Sequence, residues 1–407
     1  MPRPLSHIRV LDLSRVLAGP WASQNLADLG AEVIKVERPG AGDDTRSWGP
    51  PWAKDSDGKD TSNSSYFLSC NRGKKSITLD ISKPEGQRIV RELAAKCDVL
   101  IENYKVGTLA RYGLSYEQLR DINPRLVYCS ITGFGQSGPY APRPGYDFVF
   151  QGMGGLMSIT GERDDLPGGG PMKVGIAITD ILTGMYASLA ITAAIAHCER
   201  GGGGQYIDMA LLDCMVAFNA NQISGYLVSG NIPRRYGNAH PNVVPYQVFP
   251  CKGGHIILAI GNDSQFASLC KVAGRPELAA DERFRLMTGR IINRDALIPL
   301  IAEIMQQRSM PEWIAVLEAA NVPCGPINNM RQVFEDPQVQ HRGMKVEIQT
   351  AAGVPCPVVA SPMRFSGTPV EYTLPPPTLG QHTQDVLQGL LGMDRAAVAE
   401  LAAKGIV

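Results

Sequence analysis

Hydrophobic positions in the first third of the chain follow two alternating periods. A short apolar run, Ile8 to Ser14 (IRVLDLS), precedes a stretch with helical spacing from Ala18 to Leu29, and a second run rich in valine and isoleucine follows from Ala31 to Arg38. That order predicts a strand, a helix and a second strand parallel to the first. The alternation continues with a strand inside Asn71 to Ile81, a helix over about Pro84 to Lys96, a strand ending at Asn103, a short helix near Leu109 to Tyr112 and a strand from Arg125. The expected fold class is α/β with a mostly parallel sheet. One stretch interrupts it: Pro39 to Ser65 is rich in Gly, Pro, Asp and Ser, and reads as a surface excursion with little structure of its own.

A long apolar helix begins near Ile178, and after the glycine run Gly201 to Gly204 come a strand and another helix. That run suits a cap and turn as well as a phosphate cradle. From about Asn231 the texture changes to an α+β pattern with three helical segments reaching about Asn321. Strand patterns return over Val346 to Met363, and an extended Pro-rich segment, Pro375 to Thr383, precedes two terminal helices. The expected organisation is a large domain built from residues 1–225 and 340–407, with a small domain of residues 226–339 inserted. Two domains are also what 407 residues imply. No internal repeat of fixed period is present.

Charge narrows the partners. The 39 basic and 39 acidic residues cancel, which removes the footprint expected for nucleic acid or an anionic membrane and favours a small-molecule ligand. Nine scattered cysteines, without CxxC or zinc-type spacing, indicate reduced thiols and a cytoplasmic setting. The N-terminus lacks a signal-peptide pattern. The segment Ile178 to His197 has the length of a membrane span, but it carries Asp180 and no flanking positive cluster, so a buried core helix is expected. No P-loop, Ser/His/Asp elbow or HExxH occurs, and no metal or redox cofactor is expected.

Candidate chemistry concentrates between Gly145 and Met185. Asp180 stands at the head of the apolar helix, where the positive end of the helix dipole favours its ionised form. A carboxylate there is placed either to attack an acyl carbonyl or simply to cap the helix, and spacing alone leaves both open. Glycine turns at Gly152 to Gly155, Gly161 and Gly168 to Gly170 permit close approach of a ligand and present amide donors. The first turn, SRVLAGP, lacks the dinucleotide glycine fingerprint, and the second strand ends in Glu37-Arg38, suited to a ribose phosphate or to solvent. Arg38, Arg72, Lys74, Lys75 and Arg111, at the ends of successive strands, are expected to converge on the carboxyl edge of the sheet, where they would hold phosphates or be merely solvated. His240, in the turn GNAHPNVVPY, suits a site or a structural role.

Together, VLDLSRVLAGPWASQNLADLGAEVIKVERPGAGDDTR, NRGKKSITLDI, DVLIENYKVGTLARYGL, SITGFGQSGPYA, the Asp180 segment, GQYIDMALLD, CGPINNM and PPPTLGQHT resemble the class III CoA-transferases. This is the carnitine dehydratase and bile acid-inducible protein F family, which also contains formyl-CoA transferase and α-methylacyl-CoA racemase. The resemblance runs through essentially the whole chain, in order. It implies a Rossmann-like large domain, an inserted small domain, an interlocked homodimer, coenzyme A or acyl-CoA as substrate, and an acyl-accepting aspartate matched by Asp180. It also implies a CoA pocket at Val16, Ala18, Arg38, Arg72, Lys75, Asn103, Tyr104, Arg111 and Tyr146.

Two departures direct the reading within the family. The racemase branch carries a proton-shuttling histidine where this chain reads Gly145-Tyr146-Asp147, so racemisation lacks one of its acid/base groups. Formyl-CoA transferase has a catalytic glycine loop and a glutamine after the first strand, where this chain has Gly237 to Gln247 and Leu17. The residues RVLAGP, ERPGAGDDTR with WGPP, VPYQVF, GPINNM and the QHT tail resemble the succinyl-CoA:glutarate CoA-transferase branch most. The expected activity moves CoA from a donor, succinyl-CoA, to a small dicarboxylate such as glutarate or itaconate through aspartyl anhydride and aspartyl-CoA thioester intermediates. Alternatives are a 2-methylacyl-CoA racemase or epimerase and a non-catalytic CoA-binding protein. A dicarboxylate acceptor calls for a cation near Asp180, for which Arg46 and His240 are the candidates.

Overall fold

The structure, a computed structural model, describes residues 2–350 and 353–407. Ala351 and Ala352, within the expected strand segment Val346 to Met363, lie outside the described residues. The chain divides into two compact units. The first comprises the residues up to Leu156, Val174–Ser229 and Gln340–Val407; the second comprises Met157–Lys173 and Gly230–Val339. The glycine-rich piece Met157–Lys173, which the sequence pattern assigns to the large domain, thus belongs with the second unit.

In the first unit six strands form one sheet, in the spatial order Lys74–Thr78, Glu32–Glu37, Arg9–Asp12, Val99–Glu102, Val127–Thr132 and Tyr206–Ala210. Every neighbouring pair is parallel. Numbered along the chain this is 3-2-1-4-5-6, the doubly wound order. The central strands Arg9–Asp12, Val99–Glu102 and Val127–Thr132 are almost wholly buried because both faces of the sheet are covered. Leu11, Ile34 and Leu100 face a cluster that includes Val90 and Leu93 of the helix Pro84–Ala94 and Leu387 of Thr383–Leu391. Val10, Val33 and Ile101 face Ala22 and Leu26 of the helix Ala18–Asp28, with Ala187 and Ile191 of the helix Ile178–Glu199.

That last helix is long and apolar enough to cross a membrane by length and composition. Its buried face instead packs on Ala18–Asp28. Gly184 permits the close crossing, since a Cβ there would meet the Ala18 carbonyl oxygen at 2.6 Å. The crossing sets the first turn of the long helix, with Asp180, over the carboxyl ends of the strands.

The stretch Pro39 to Ser65 is not the loose excursion its composition predicts. It forms a 3-10 turn, Asp44–Ser47, and a hairpin of Trp52–Lys54 with Asp60–Ser64, and Asp43, Thr45 and Arg46 are buried. Asp43 and Arg46 find their partners inside the protein, while the hairpin residues from Lys54 to Asp60 face water. Glu37 takes Arg46 at 2.6 Å, and Asp43 takes Lys35 at 2.8 Å.

The second unit is α+β. Strands Tyr246–Cys251 and Gly254–Ala259 pair antiparallel and are extended by Cys324–Gly325. The helices Asp263–Val272, Arg294–Met305 and Met310–Ala319 cover them around Phe249, Phe266 and Trp313.

Candidate active site

The chain leaves the first strand, Arg9–Asp12, toward one edge of the sheet and later returns to build outward from its other neighbour, Val99–Glu102. The crevice at the carboxyl ends of these two strands is the switch point where doubly wound folds bind ligands. A cavity of about 440 Å³ lies there. Its wall comprises the turn after the first strand, Arg15 to Ala18 with Asp44, the turn after the fourth, Asn103 to Val106, and Ile131 to Gly133. Ala141 to Tyr146, Asp180 and Leu211 complete it.

Asp180 is the third residue of its helix and not the cap. Ala177 holds the N-cap position and offers no side-chain bond. The free amides of the first turn are taken by Asp147, whose Oδ1 accepts Thr179 N–H at 2.7 Å and Asp180 N–H at 3.4 Å. Asp147 is held in turn by Gln151, whose Nε2 donates to it at 2.6 Å while its Oε1 accepts Val174 N–H at 2.8 Å. The capping role that the sequence leaves open for Asp180 thus falls to a carboxylate 33 residues earlier. Among the described residues the Asp180 carboxylate has no hydrogen-bond or ion-pair partner.

Burial first, and then the neighbouring Asp147 charge, push the Asp180 carboxyl up to about 7. The helix N-terminus opposes that shift, but Asp147 already offsets part of its positive charge. A carboxylate that is poorly solvated and unpaired keeps its nucleophilicity for an incoming acyl carbon. Gly145 stands on the same wall for a packing reason: a Cβ there would meet Phe150 Cζ at 2.2 Å.

Of the residues implied by resemblance, Val16, Ala18, Asn103, Tyr104 and Tyr146 line this cavity with Asp180. Arg72 and Lys75 do not. They line a second cavity, of about 290 Å³, at the amino ends of the strands. There Arg72 holds Asp28 through Nε at 3.0 Å and Nη2 at 2.6 Å, and Lys75 holds Glu32 at 2.6 Å. Lys74 is wholly buried against Asp12 at 3.3 Å. Arg38 and Arg111 are exposed and line neither cavity.

Neither cation suggested for the acceptor is free in the cavity. Arg46 is buried, its guanidinium bound to both oxygens of Glu37, to Asn63 and to the Pro377 carbonyl. His240 belongs to the second unit, where its Nδ1 accepts Asn242 N–H at 3.0 Å and its carbonyl accepts Arg294 at 2.8 Å. The cations that do line the cavity are Arg15, Lys105 and Arg143. Arg15 pairs with Asp44 at 3.1 Å. Arg143 stacks on Tyr140, 4.6 Å from the ring centre, and has no carboxylate partner among the described residues. Sequence reasoning also missed Tyr66, whose phenol is pushed up to about 12 by burial first and then by the Asp180 charge.

Comparison with known proteins shows the family and the fold. A family model described as CoA-transferase family III matches residues 5–383. The chain is similar to a succinate–glutarate CoA-transferase of Agrobacterium fabrum, 50% identical over 394 residues and covering 97% of each chain. It is also similar to the human succinyl-CoA:glutarate CoA-transferase, 44% identical over 405 residues, covering 100% of this chain and 90% of the other. A crystal structure of a CAIB/BAIF family protein from Brucella suis superposes with a TM-score of 0.84 at 49% identity, covering 96% of this chain and 100% of that one.

Proposed function

The chain belongs to CoA-transferase family III, and on that premise we propose that it moves CoA from succinyl-CoA to glutarate or a related small dicarboxylate such as itaconate. The observation that carries this reading is the unpartnered Asp180 carboxylate at the switch-point cavity. An Asp180 oxygen attacks the succinyl thioester carbonyl, the C–S bond breaks, and CoA leaves as thiolate from an aspartyl–succinyl anhydride. The thiolate then attacks the aspartyl carbonyl, which releases succinate and leaves an aspartyl-CoA thioester. A glutarate carboxylate attacks that thioester, giving an aspartyl–glutaryl anhydride and thiolate again. Attack of the thiolate on the glutaryl carbonyl forms glutaryl-CoA and restores Asp180.

A carboxylate suits this sequence because each intermediate keeps the activation of the thioester, so no energy is lost to hydrolysis. Backbone amides beside Gly133 and Gly145 are the candidate donors to the tetrahedral oxyanions. Val16, Ala18, Asn103, Tyr104 and Tyr146 form the acyl-CoA wall. Arg143 meets the second carboxylate of the acid better than Arg46 or His240, because it lines the cavity and carries no acidic partner among the described residues. Tyr146 in place of a histidine argues against the racemase reading.

A homodimer is supported by apolar side chains that the first unit leaves exposed. The helix Ala220–Ser229 has no buried residue, and Leu227 and Val228 are 75% and 90% exposed. The nine free thiols support a reducing, cytoplasmic setting. Incubation with succinyl-CoA and a panel of mono- and dicarboxylates, with new thioesters identified by mass, tests the reading. Glutaryl-CoA or another dicarboxyl-CoA is expected. Isomerisation of 2-methylacyl-CoA with no transfer to free acids overturns it.

A further inference from the structure

The turn from the first strand into the helix Ala18–Asp28 holds a backbone conformation that its residue type resists. Val16, which is β-branched, has φ +71°, a region that crowding at Cβ leaves mainly to glycine. Doubly wound folds commonly place glycines in this turn. Val16 also lines the Asp180 cavity.

The turn is held by side chains at six successive backbone groups. Ser14 N–H donates to Asp12 at 2.9 Å, and the Ser14 carbonyl accepts Lys35 Nζ at 2.9 Å. Arg15 N–H donates to Asn103 Oδ1 at 2.9 Å, and the Arg15 carbonyl accepts Asn103 Nδ2 at 2.7 Å. Val16 N–H lies 3.3 and 3.2 Å from the two oxygens of Asp43, and the Val16 carbonyl accepts the Cys70 thiol at 3.7 Å. Behind the turn the Lys35–Asp43 pair is wholly buried at 2.8 Å. Burial penalises the Lys35 ammonium, but Asp43, Asp12 and Glu37 together hold its proton above the ordinary lysine range.

A buried ion pair adds little to stability over apolar packing of the same shape, so stability gives weak reason for it. A glycine at position 16 would adopt the same backbone unaided. A branched residue kept there under clamp implies that the side chain itself is used. We propose that Asp43, set by Lys35, is a positioning residue that fixes Val16 in the left-handed conformation, so that its isopropyl group forms a rigid wall of the acyl-CoA site. This rests on the reading that the Asp180 cavity takes acyl-CoA.

Asp43→Asn alone takes the paired carboxylate from a buried ammonium and risks misfolding. The test therefore removes the pair together, as Lys35→Met/Asp43→Leu, which leaves no acceptor for Val16 N–H, with and without Val16→Gly. CoA affinity is read by calorimetry and KM for succinyl-CoA by transfer rate. Removing the pair is expected to weaken CoA binding about tenfold. In the Val16→Gly background the same removal is expected to change it by less than about twofold, because glycine needs no clamp. If the two changes multiply independently, or if pair removal leaves affinity unchanged, the proposal is overturned. A parent protein that binds CoA but transfers it to no acid refutes the proposed function, while the affinity cycle still decides the clamp.

Discussion

The two edges of the sheet hold cavities that differ in how their charges are partnered. At the amino edge Arg72 holds Asp28 and Lys75 holds Glu32, so the basic residues that looked suited to phosphate are matched by carboxylates. At the carboxyl edge Asp180 faces the cavity with no partner among the described residues and with a second carboxylate, Asp147, beside it. A charge matched in place holds the fold together. An unmatched, poorly solvated one raises the free energy of the resting protein and is kept for reaction.

If the contrast is correct, the largest effect belongs to Asp180. Asp180→Asn is expected to cut transfer by at least about 10³-fold, read by product formation from succinyl-CoA. The same variant is expected to be more stable at pH 8 by about 1–3 kcal/mol, read by thermal unfolding. The sign follows from the raised carboxyl: the folded protein holds this proton more tightly than the unfolded chain, so the cost of ionising it accumulates as pH rises from about 4 to about 7. The gain should vanish near pH 4. An active Asp180→Asn, or one destabilised at pH 8, breaks the contrast.

Asp147→Asn comes next. It removes the like charge beside Asp180 and weakens the cap of the long helix, so a loss of about 10- to 100-fold is expected. The midpoint of the kcat/KM profile should also move to lower pH. In the parent protein that profile should rise through about pH 7 as Asp180 ionises. A flat profile between pH 6 and 8, with chemistry rate-limiting, means Asp180 does not titrate there.

Arg143→Ala is expected to raise KM for the dicarboxylate about tenfold and to leave a monocarboxylate nearly unaffected, read by steady-state kinetics with glutarate and butyrate. The smallest effect is predicted at the matched edge. Lys75→Ala should change stability by less than about 1 kcal/mol and leave KM for succinyl-CoA within about twofold. A large KM effect there would show that the amino-edge cavity binds ligand after all.

Much of this was legible in the pattern of apolar residues. The alternation from Ile8 to Arg125 anticipates the parallel α/β sheet, and the long helix from Ile178 begins where its spacing indicates. Chemistry at Asp180 came from resemblance rather than periodicity, because an acid in the first turn of a helix is ordinarily a cap. What excludes the cap is Asp147, remote in sequence and brought there only by the fold. The stretch Pro39 to Ser65 misled for a related reason: residues that form buried ion pairs have the composition of a solvated loop. Arg46, with Glu37 and Pro377 around it, is the clearest instance. The left-handed Val16 leaves no trace in composition at all, since its cost is met by side chains from four other segments.

In the proposed reaction Asp180 carries the acyl group and then CoA. Rapid acid quench of the protein with succinyl-CoA, followed by digestion and peptide mass spectrometry, tests it most directly. A CoA thioester is expected on the peptide containing Asp180 and none on the Asp180→Asn protein. A CoA adduct on another residue, or transfer at the full rate with no adduct at any quench time, would contradict it.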